Sequence, residues 1–186
     1  MRIFINPGHA PDGTPDPGAV NAVTGLRECD VALAVGEGVA TYLRAADCEV
    51  TVLQLDDLSA IVMAANDWQA DFFISIHCNS AESTAATGTE VWYCSGSLAG
   101  EQLGDCIKRE ILATLPLVDR GMKEATPGEN GLYVLTNTAM PACLVELAFI
   151  SNQQDEVLLR EAQQQDAFAR AIARGVTDCD IYHGQR

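Results

Sequence analysis

The chain has 186 residues, of which 48% are hydrophobic and 20% charged, and this fits one globular domain. The composition excludes a collagen-like repeat, a coiled coil and a long disordered chain. The formal net charge is −15, with 11 Lys and Arg against 26 Asp and Glu, so we expect no nucleic-acid partner and no adhesion to anionic lipid, since both need clustered cations.

Strand-like apolar runs alternate with stretches of helical periodicity. In chain order, the pattern predicts a strand at 2–5, a loop at 7–25, a helix at 28–46, a strand at 49–53, a helix at 56–69, strands at 72–77 and 89–94, a helix at 98–115, strands at 131–135 and 142–146, and one or two helices between 155 and 178. This alternation predicts an α/β single domain with a twisted, mostly parallel sheet flanked by helices.

Export and membrane signals are not visible in the sequence. The N-terminus lacks the long apolar core of a signal peptide, and no apolar run reaches the roughly 18 residues of a membrane span. None of the seven cysteines belongs to a C-x-x-C pair, and most adjoin apolar residues, which favours buried, reduced thiols. We therefore expect synthesis in a reducing compartment and no membrane insertion.

Two of the three histidines follow or end predicted strands. His9 comes after the first strand, behind a Pro-Gly turn, and His77 ends the strand at 72–77. In parallel α/β sheets, ligands gather outside the carboxyl ends of strands. The two imidazoles are therefore candidates to converge on a metal ion, and the alternative is that each makes one structural hydrogen bond.

Two glutamates strengthen the metal hypothesis. Glu28 begins the helix that follows the long loop, and two histidines plus a carboxylate, with an open fourth position, make a catalytic zinc site. Glu146 lies between two apolar runs, where a carboxylate is costly unless it is paired or coordinates something. Burial would raise its pKa, which suits a general base or acid; the competing interpretation is a salt bridge to an arginine.

Other catalytic arrangements have weaker support. Cys29 and Cys78 adjoin Glu28 and His77, so a Cys–His nucleophile stays open, although Cys78 is expected on the opposite face of its strand from His77. The sequence contains no G-x-S-x-G nucleophile motif and no Gly-rich phosphate loop.

Eight segments occur in the same order as the motifs of one known family, over essentially the whole chain. They are Asn-Pro-Gly-His at 6–9, Asp-Pro-Gly-Ala at 16–19, Gly-Leu-Arg-Glu at 25–28, Ala-Asp-Phe-Phe-Ile-Ser-Ile-His-Cys-Asn at 70–79, Gly-Thr-Glu-Val at 88–91, Arg-Gly-Met-Lys at 120–123, Leu-Tyr-Val-Leu at 132–135 and Pro-Ala-Cys-Leu-Val-Glu-Leu-Ala-Phe-Ile-Ser-Asn at 141–152. Through them the chain resembles the zinc-dependent N-acetylmuramoyl-L-alanine amidases of the amidase_3 type, which cut bacterial peptidoglycan.

The resemblance implies a phosphorylase/hydrolase-like fold, a cofactor, a reaction and a substrate. Zn²⁺ would be held by His9, Glu28 and His77, and Glu146 would be the catalytic glutamate that serves as general base and acid for a zinc-activated water. The bond cut would be the amide between N-acetylmuramic acid and L-alanine, in peptidoglycan or in muropeptides.

Four further residues are candidates for substrate contact. Asn79 and Asn152 follow strands, where Asn also commonly closes turns. Arg120 and Lys123 would meet an anionic stem peptide, with a solvated position as the default alternative.

The sequence departs from the family pattern near the first two strands. The family usually has Asp at the position of Asn6, Gly at that of Ala10, and Thr-Arg at 53–54, where this chain has Leu-Gln. The first two changes bear on the groups that orient His9, and the last on substrate preference and packing. Residues 80–87 are too few for the helical insertion that blocks the site in some relatives, so we expect no built-in lid of that kind.

We expect residues 1–186 to form one catalytic domain without a separate cell-wall-binding domain. The substrate lies outside the cytoplasm, and the absence of a visible signal peptide fits synthesis in the cytoplasm with phage-endolysin-style release. Two other functions stay open: another zinc amidohydrolase or peptidase acting on small acyl-amino acids or peptides, and a non-catalytic peptidoglycan-binding module.

Overall fold

The structure is a computed structural model that describes residues 1–128 and 132–184. These residues include six strands and six α-helices. The strands are β1 (Arg2–Pro7), β2 (Glu49–Val52), β3 (Phe72–Asn79), β4 (Thr89–Cys94), β5 (Asp119–Ala125) and β6 (Ala142–Phe149). The helices are α1 (Glu28–Ala45), α2 (Leu58–Asp67), α3 (Leu98–Thr114), α4 (Tyr133–Asn137), α5 (Gln153–Arg160) and α6 (Ala162–Gly184).

The strands form one sheet in the order β2-β1-β3-β6-β4-β5. Neighbouring strands are parallel except β4 and β6, which run antiparallel. This confirms the predicted mostly parallel α/β architecture. Because β4 and β5 are reversed, their first residues lie at the same edge as the carboxyl ends of β1, β3 and β6.

Apolar layers cover both faces of the sheet. In β3, Ile74 and Ile76 point into the larger layer, which contains buried residues of α1, α3 and α6. Phe73 points to the opposite face and packs with Phe4 and with residues of α2 and α4. Polar residues on the same face of β3 as Phe73 therefore point to the α2/α4 side, where the smaller helices leave part of the sheet uncovered.

Five of the seven cysteines are buried, which agrees with the expected buried thiols. Each lies in a different element, and they are Cys29 in α1, Cys78 in β3, Cys106 in α3, Cys143 in β6 and Cys179 in α6. Burial raises the pKa of the Cys78 thiol well above its usual range, so this sulfur stays protonated and is a poor nucleophile.

Two element predictions are wrong. The strand predicted at 131–135 is helix α4 from Tyr133 onward, while Gly131 lies outside the described residues. Strand β5 was not predicted, because Asp-Arg-Gly-Met-Lys-Glu-Ala is charged, contains Gly and carries no β-branched residue. It forms through pairing with β4, which supplies the hydrogen-bonding edge. None of the described helices has the length and apolar composition that crossing a bilayer requires.

Candidate metal centre and active site

The two histidines predicted to converge lie at the ends of adjacent parallel strands. His9 follows β1 with a backbone φ of 68°, a left-handed conformation that non-glycine residues adopt infrequently. His77 lies in β3, two residues beyond the buried Ser75 and on the same α2/α4 face. Their ring centroids are 5.0 Å apart with an edge-to-face angle of 74°.

Glu28 lies between the two imidazoles. Its Oε1 is 3.0 Å from His9 Nε2 and 3.0 Å from His77 Nδ1. Its side chain is only 5% exposed and also accepts hydrogen bonds from the backbone N–H groups of Cys78 (2.9 Å) and Ala19 (2.8 Å). One ligand atom from each of the three residues lies within 4.8 Å of the others, a spacing that suits a single metal ion.

The electrostatics of this cluster keep Glu28 ionised. Burial would raise the pKa of Glu28, but hydrogen bonds from His77 and His9 outweigh it and hold the pKa far below its usual range. Burial would lower the pKa of His9, but its hydrogen bonds to Glu28 and Asp16 raise it to about 9. The carboxylate thus attracts positive charge at this point, which a proton or a metal ion can supply.

Asp16 orients the ring of His9. Its Oδ2 is 2.7 Å from His9 Nδ1, and its Oδ1 accepts a hydrogen bond of 2.9 Å from the backbone N–H of Gly18. With Nδ1 engaged by a carboxylate, Nε2 is the nitrogen that faces Glu28. Carboxylate–histidine pairs of this kind fix the tautomer of metal-binding histidines.

Two glycines allow the chain to close around the cluster. A Cβ at Gly18, where φ is +68°, would lie 2.5 Å from His9 Cδ2 and 2.6 Å from Glu28 Oε2. A Cβ at Gly8 would overlap the ring of His77. Both positions need glycine because the side chains of the cluster fill the space that a methyl group would take.

Glu146 lies beside His77 in the paired strands β3 and β6. Its Oε2 is buried and has no hydrogen-bond partner within the described part of the chain. Burial raises its pKa to about 7, close to the optimum for a general base or acid at neutral pH. The alternative of a salt bridge to arginine finds no support, since no described arginine is paired with Glu146.

Glu90 is a further buried carboxylate at the site, and it was not among the residues predicted from the sequence. It pairs in register with Glu146 across β4 and β6. Glu90 accepts hydrogen bonds from Asn79 (3.0 Å), Trp92 (3.2 Å) and Arg120 (2.9 Å), so its charge is compensated. Glu90 stands between Thr89 and the apolar run Val-Trp-Tyr, so its signal in the sequence was weaker than that of Glu146, which has apolar residues on both sides.

The four candidate substrate contacts differ in their surroundings. Asn79 donates to Glu90, and Asn152 caps α5 while donating to the carbonyl of Thr84 (2.8 Å), so both amides already have partners in the protein. The guanidinium of Arg120 lies 4.7 Å above the ring of Phe149. Lys123 is half-buried beside Trp92 on the site face.

The cysteines next to the cluster do not form a nucleophile pair with the histidines. Cys78 packs in the apolar layer under α1, on the opposite face from His77, as predicted. The Sγ of Cys29 lies 3.7 Å from Asp30 Oδ1, and burial with the nearby Asp30 charge raises its pKa.

A cavity of about 250 Å³ opens beside the cluster between α2 and α4. Its wall combines leucine and isoleucine side chains with the carboxylates of Asp16 and Asp56, and it contains His9, His77, Leu55, Leu58, Ile61, Leu132, Tyr133, Val134 and Leu144. A small organic group with apolar and hydrogen-bonding parts suits such a wall.

The sheet and the His–Glu–His cluster define a class of protein, an α/β domain with a potential metal site at the carboxyl ends of its central strands. The family model described as N-acetylmuramoyl-L-alanine amidase (Amidase_3) matches residues 3–178. The chain belongs to this family of amide hydrolases.

Relatives and solved structures agree with this assignment. The chain is 36% identical over 179 residues to the N-acetylmuramoyl-L-alanine amidase LytC of Bacillus subtilis (strain 168). The aligned region covers 93% of this chain and 34% of LytC. It therefore spans about a third of the length of that relative. The N-acetylmuramoyl-L-alanine amidase AmiC2 of Nostoc punctiforme superimposes with a TM-score of 0.86 at 30% identity, covering 100% of this chain and 98% of that one.

A third protein has the same fold. The catalytic domain of CwlV, an N-acetylmuramoyl-L-alanine amidase from Bacillus (Paenibacillus) polymyxa var. colistinus, gives a TM-score of 0.86 at 28% identity and covers 100% of this chain and 99% of its own.

Proposed function

We propose that residues 1–186 form a zinc-dependent amidase domain that hydrolyses the bond between N-acetylmuramic acid and L-alanine in peptidoglycan. The observation that carries the proposal is the convergence of His9 Nε2 and His77 Nδ1 on Glu28 Oε1, each at 3.0 Å. The family to which the chain belongs supplies the substrate.

The residues present fit a zinc ion. Two imidazole nitrogens and one carboxylate oxygen are a ligand set that Zn²⁺ adopts in catalytic sites, with a fourth position for water. The glycines at 8 and 18 leave room for the cluster, and Glu146 Oε2 is a buried acceptor without a partner in the described residues. When bound, Zn²⁺ lowers the pKa of a coordinated water to about 7 and polarises the substrate carbonyl.

The chain's own residues complete the reaction. Glu146 accepts a proton from the attacking water as the oxygen bonds to the carbonyl carbon of the lactyl group. As the carbon–nitrogen bond breaks, Glu146 returns that proton to the nitrogen of L-alanine, and the products are a lactyl carboxylate and a free amine. The raised pKa of about 7 lets Glu146 hold and release a proton near neutral pH.

The charges around the site favour one direction for the substrate. Asp16 and Asp56 in the wall of the cavity disfavour the carboxylates of the stem peptide there, whereas the uncharged muramic acid ring suits the apolar wall. On the other side of Glu146, Lys123 on β5 provides positive charge, whereas the charge of Arg120 is compensated by Glu90. We place the glycan in the cavity and the acidic peptide toward β5.

The site of action follows from the substrate. Peptidoglycan lies outside the cytoplasm, so the chain would act on the cell wall.

The test is mass spectrometry of purified peptidoglycan after digestion, with and without a zinc chelator. The proposal predicts release of free stem peptides and peptide-free glycan, which the chelator abolishes and added Zn²⁺ restores. Intact peptidoglycan after incubation with folded, zinc-loaded protein would contradict it. Small acyl-amino acids would then be tried as substrates, and pull-down by peptidoglycan without cleavage would favour a binding module.

Two variants separate the proposed roles. Glu146→Gln should keep bound zinc and lose turnover by about 10²–10⁴-fold, the usual contribution of general acid–base catalysis. His77→Ala should lose the zinc as well, measured by metal analysis of the purified proteins. Near-normal turnover in the Glu146 variant would refute its role.

A further inference from the structure

Gln54 joins the two loops that carry metal-ligand candidates. It follows β2, and its side-chain Nε2 donates one hydrogen bond to the backbone carbonyl of Gly8 and another to that of Cys29, both at 3.0 Å. Gly8 precedes His9 and Cys29 follows Glu28. A single NH₂ group therefore uses both of its hydrogens to tie together chain segments that lie 21 residues apart in sequence.

The orientation of this amide is determined by its partners. Both neighbours are carbonyl oxygens, which only accept hydrogen bonds, so the nitrogen and not the oxygen of Gln54 must face them. The carbonyl of Gly8 belongs to the peptide group that leads into His9, whose left-handed φ of 68° has to be maintained by its surroundings. The carbonyl of Cys29 lies in the first turn of α1, directly after Glu28.

Gln54 is itself held in place from the centre of the sheet. The side-chain amide of Asn6 in β1 donates to the carbonyl of Leu53 (3.0 Å), and its Oδ1 accepts from the hydroxyl of Ser75 in β3 (2.9 Å). The backbone N–H of Leu53 donates to Ile5 (3.0 Å). The position of Gln54 is thus fixed relative to the strands that carry the two histidines.

We propose that Gln54 is a positioning residue that sets the separation of His9 and Glu28 for metal binding. This rests on the proposed metal centre. The Gln54 proposal goes beyond the metal centre itself, because it assigns part of the metal affinity to a side chain that would not contact the metal.

The test compares two nearly isosteric variants, Gln54→Glu and Gln54→Met, by competition for Zn²⁺ against a chromophoric chelator. Both lose the two donated hydrogen bonds, and the proposal predicts that the Kd for zinc rises by about 10–100-fold, as for other residues that orient metal ligands. An added negative charge by itself would tighten cation binding, so the charge effect and the positioning effect have opposite signs in the Glu variant. Gln163→Glu, at an exposed position of α6, serves as the control for the added charge.

A spectroscopic measurement separates positioning from general stability. The visible absorption of the Co²⁺-substituted protein reports ligand geometry, and it should change in both Gln54 variants but not in the Gln163 control. Thermal unfolding of the metal-free proteins identifies a variant that fails to fold, in which case the other variant decides. Unchanged zinc affinity and an unchanged Co²⁺ spectrum would overturn the role of Gln54, whereas failure of the unaltered chain to bind zinc would overturn the metal centre itself.

Discussion

Glu28 shows how a buried carboxylate is maintained at this site. Its Oε1 accepts a hydrogen bond from the backbone N–H of Cys78 and lies against both imidazoles, and its Oε2 accepts one from the N–H of Ala19. Removing a carboxylate from water costs several kcal/mol unless such partners replace the lost hydration. The site is therefore prepared for a cation before one binds, and small displacements of the surrounding chain should affect metal affinity.

Gly18→Ala tests this sensitivity. The new methyl group would meet His9 and Glu28 at 2.5–2.6 Å, so we expect zinc affinity to fall by about 10–100-fold. Gly25→Ala is the matched control, because its φ is similarly positive at +74° but no atom lies within 4 Å of the added Cβ. Chelator competition gives the affinities, and equal zinc binding by the two variants would contradict the close-packed cradle.

Glu146 makes the stability of the metal-free protein depend on pH. Its pKa is raised to about 7 in the folded state against a usual value near 4.5, so the folded state binds more protons between these values and loses stability as pH rises through them. Glu146→Gln removes this loss. Thermal unfolding of chelator-treated protein should show the variant gaining stability relative to the unaltered chain from pH 5 to 7.5, and a constant difference over that range would argue against a buried carboxylate.

The sequence identified the residues that converge but not the residues that hold them. His9, Glu28, His77 and Glu146 were recognisable because histidines at strand ends and carboxylates in apolar runs are unusual. Gln54 was visible only as a departure from the family's usual Thr-Arg. Its role could not be predicted, because an amide after a strand is ordinary and its two acceptors are main-chain groups whose approach depends on the folded loops.

At the scale of secondary structure, helices and strands with a clear hydrophobic periodicity were predictable from the sequence. Those whose conformation depends on contacts with other elements were not. Helix α1 and strand β4 match the predicted positions within a residue. The run Leu-Tyr-Val-Leu at 132–135 contains residues that favour strands, but the chain at α4 lies outside the sheet and packs on α2 and β6, so it becomes helical. Tertiary position overrides propensity in such short segments.

Asp155 at the start of α5 connects three elements. Its carboxylate accepts hydrogen bonds from the hydroxyl of Thr87 (2.6 Å), the N–H of Gly88 (2.9 Å) and the N–H of Phe149 (2.9 Å). Asp155→Asn would turn an NH₂ group toward one of these donors, so we expect a loss of about 1–3 kcal/mol in the free energy of unfolding.

Chemical denaturation measures this cost, with the exposed Asp67→Asn on α2 as the control for the change of charge. Ordinary surface substitutions change the free energy of unfolding by up to about 0.5 kcal/mol. If the two variants differ by less than that, Asp155 does not hold the entry to β4 against the end of β6.

On the scale of the whole molecule, the net charge of −15 opposes approach to an anionic wall polymer. Because of this repulsion, even a single positive charge near the site should contribute measurably to binding of an anionic substrate. The chain has two lysines: Lys108 pairs with Asp119 at 3.2 Å, whereas Lys123 is part of no described ion pair and lies on the site face.

Lys123→Ala should lower kcat/KM by up to about fivefold, or 1 kcal/mol, on soluble muropeptides whose stem carries a free glutamate α-carboxylate. On the same muropeptides with that carboxylate amidated, the change should disappear, as it should in high salt. Lys108→Ala provides the control. An equal loss on both substrates would show that Lys123 does not recognise peptide charge.

Each buried cysteine can report the local unfolding of the helix or strand that contains it. Cys29, Cys78, Cys106, Cys143 and Cys179 lie in α1, β3, α3, β6 and α6, and a buried thiol reacts with an alkylating reagent only after its element opens. Pulsed alkylation followed by peptide mapping would therefore give an opening rate for each of five elements without any introduced label. Comparing those rates with and without zinc would reveal how far the influence of the ligands spreads from the two strand ends into the rest of the sheet.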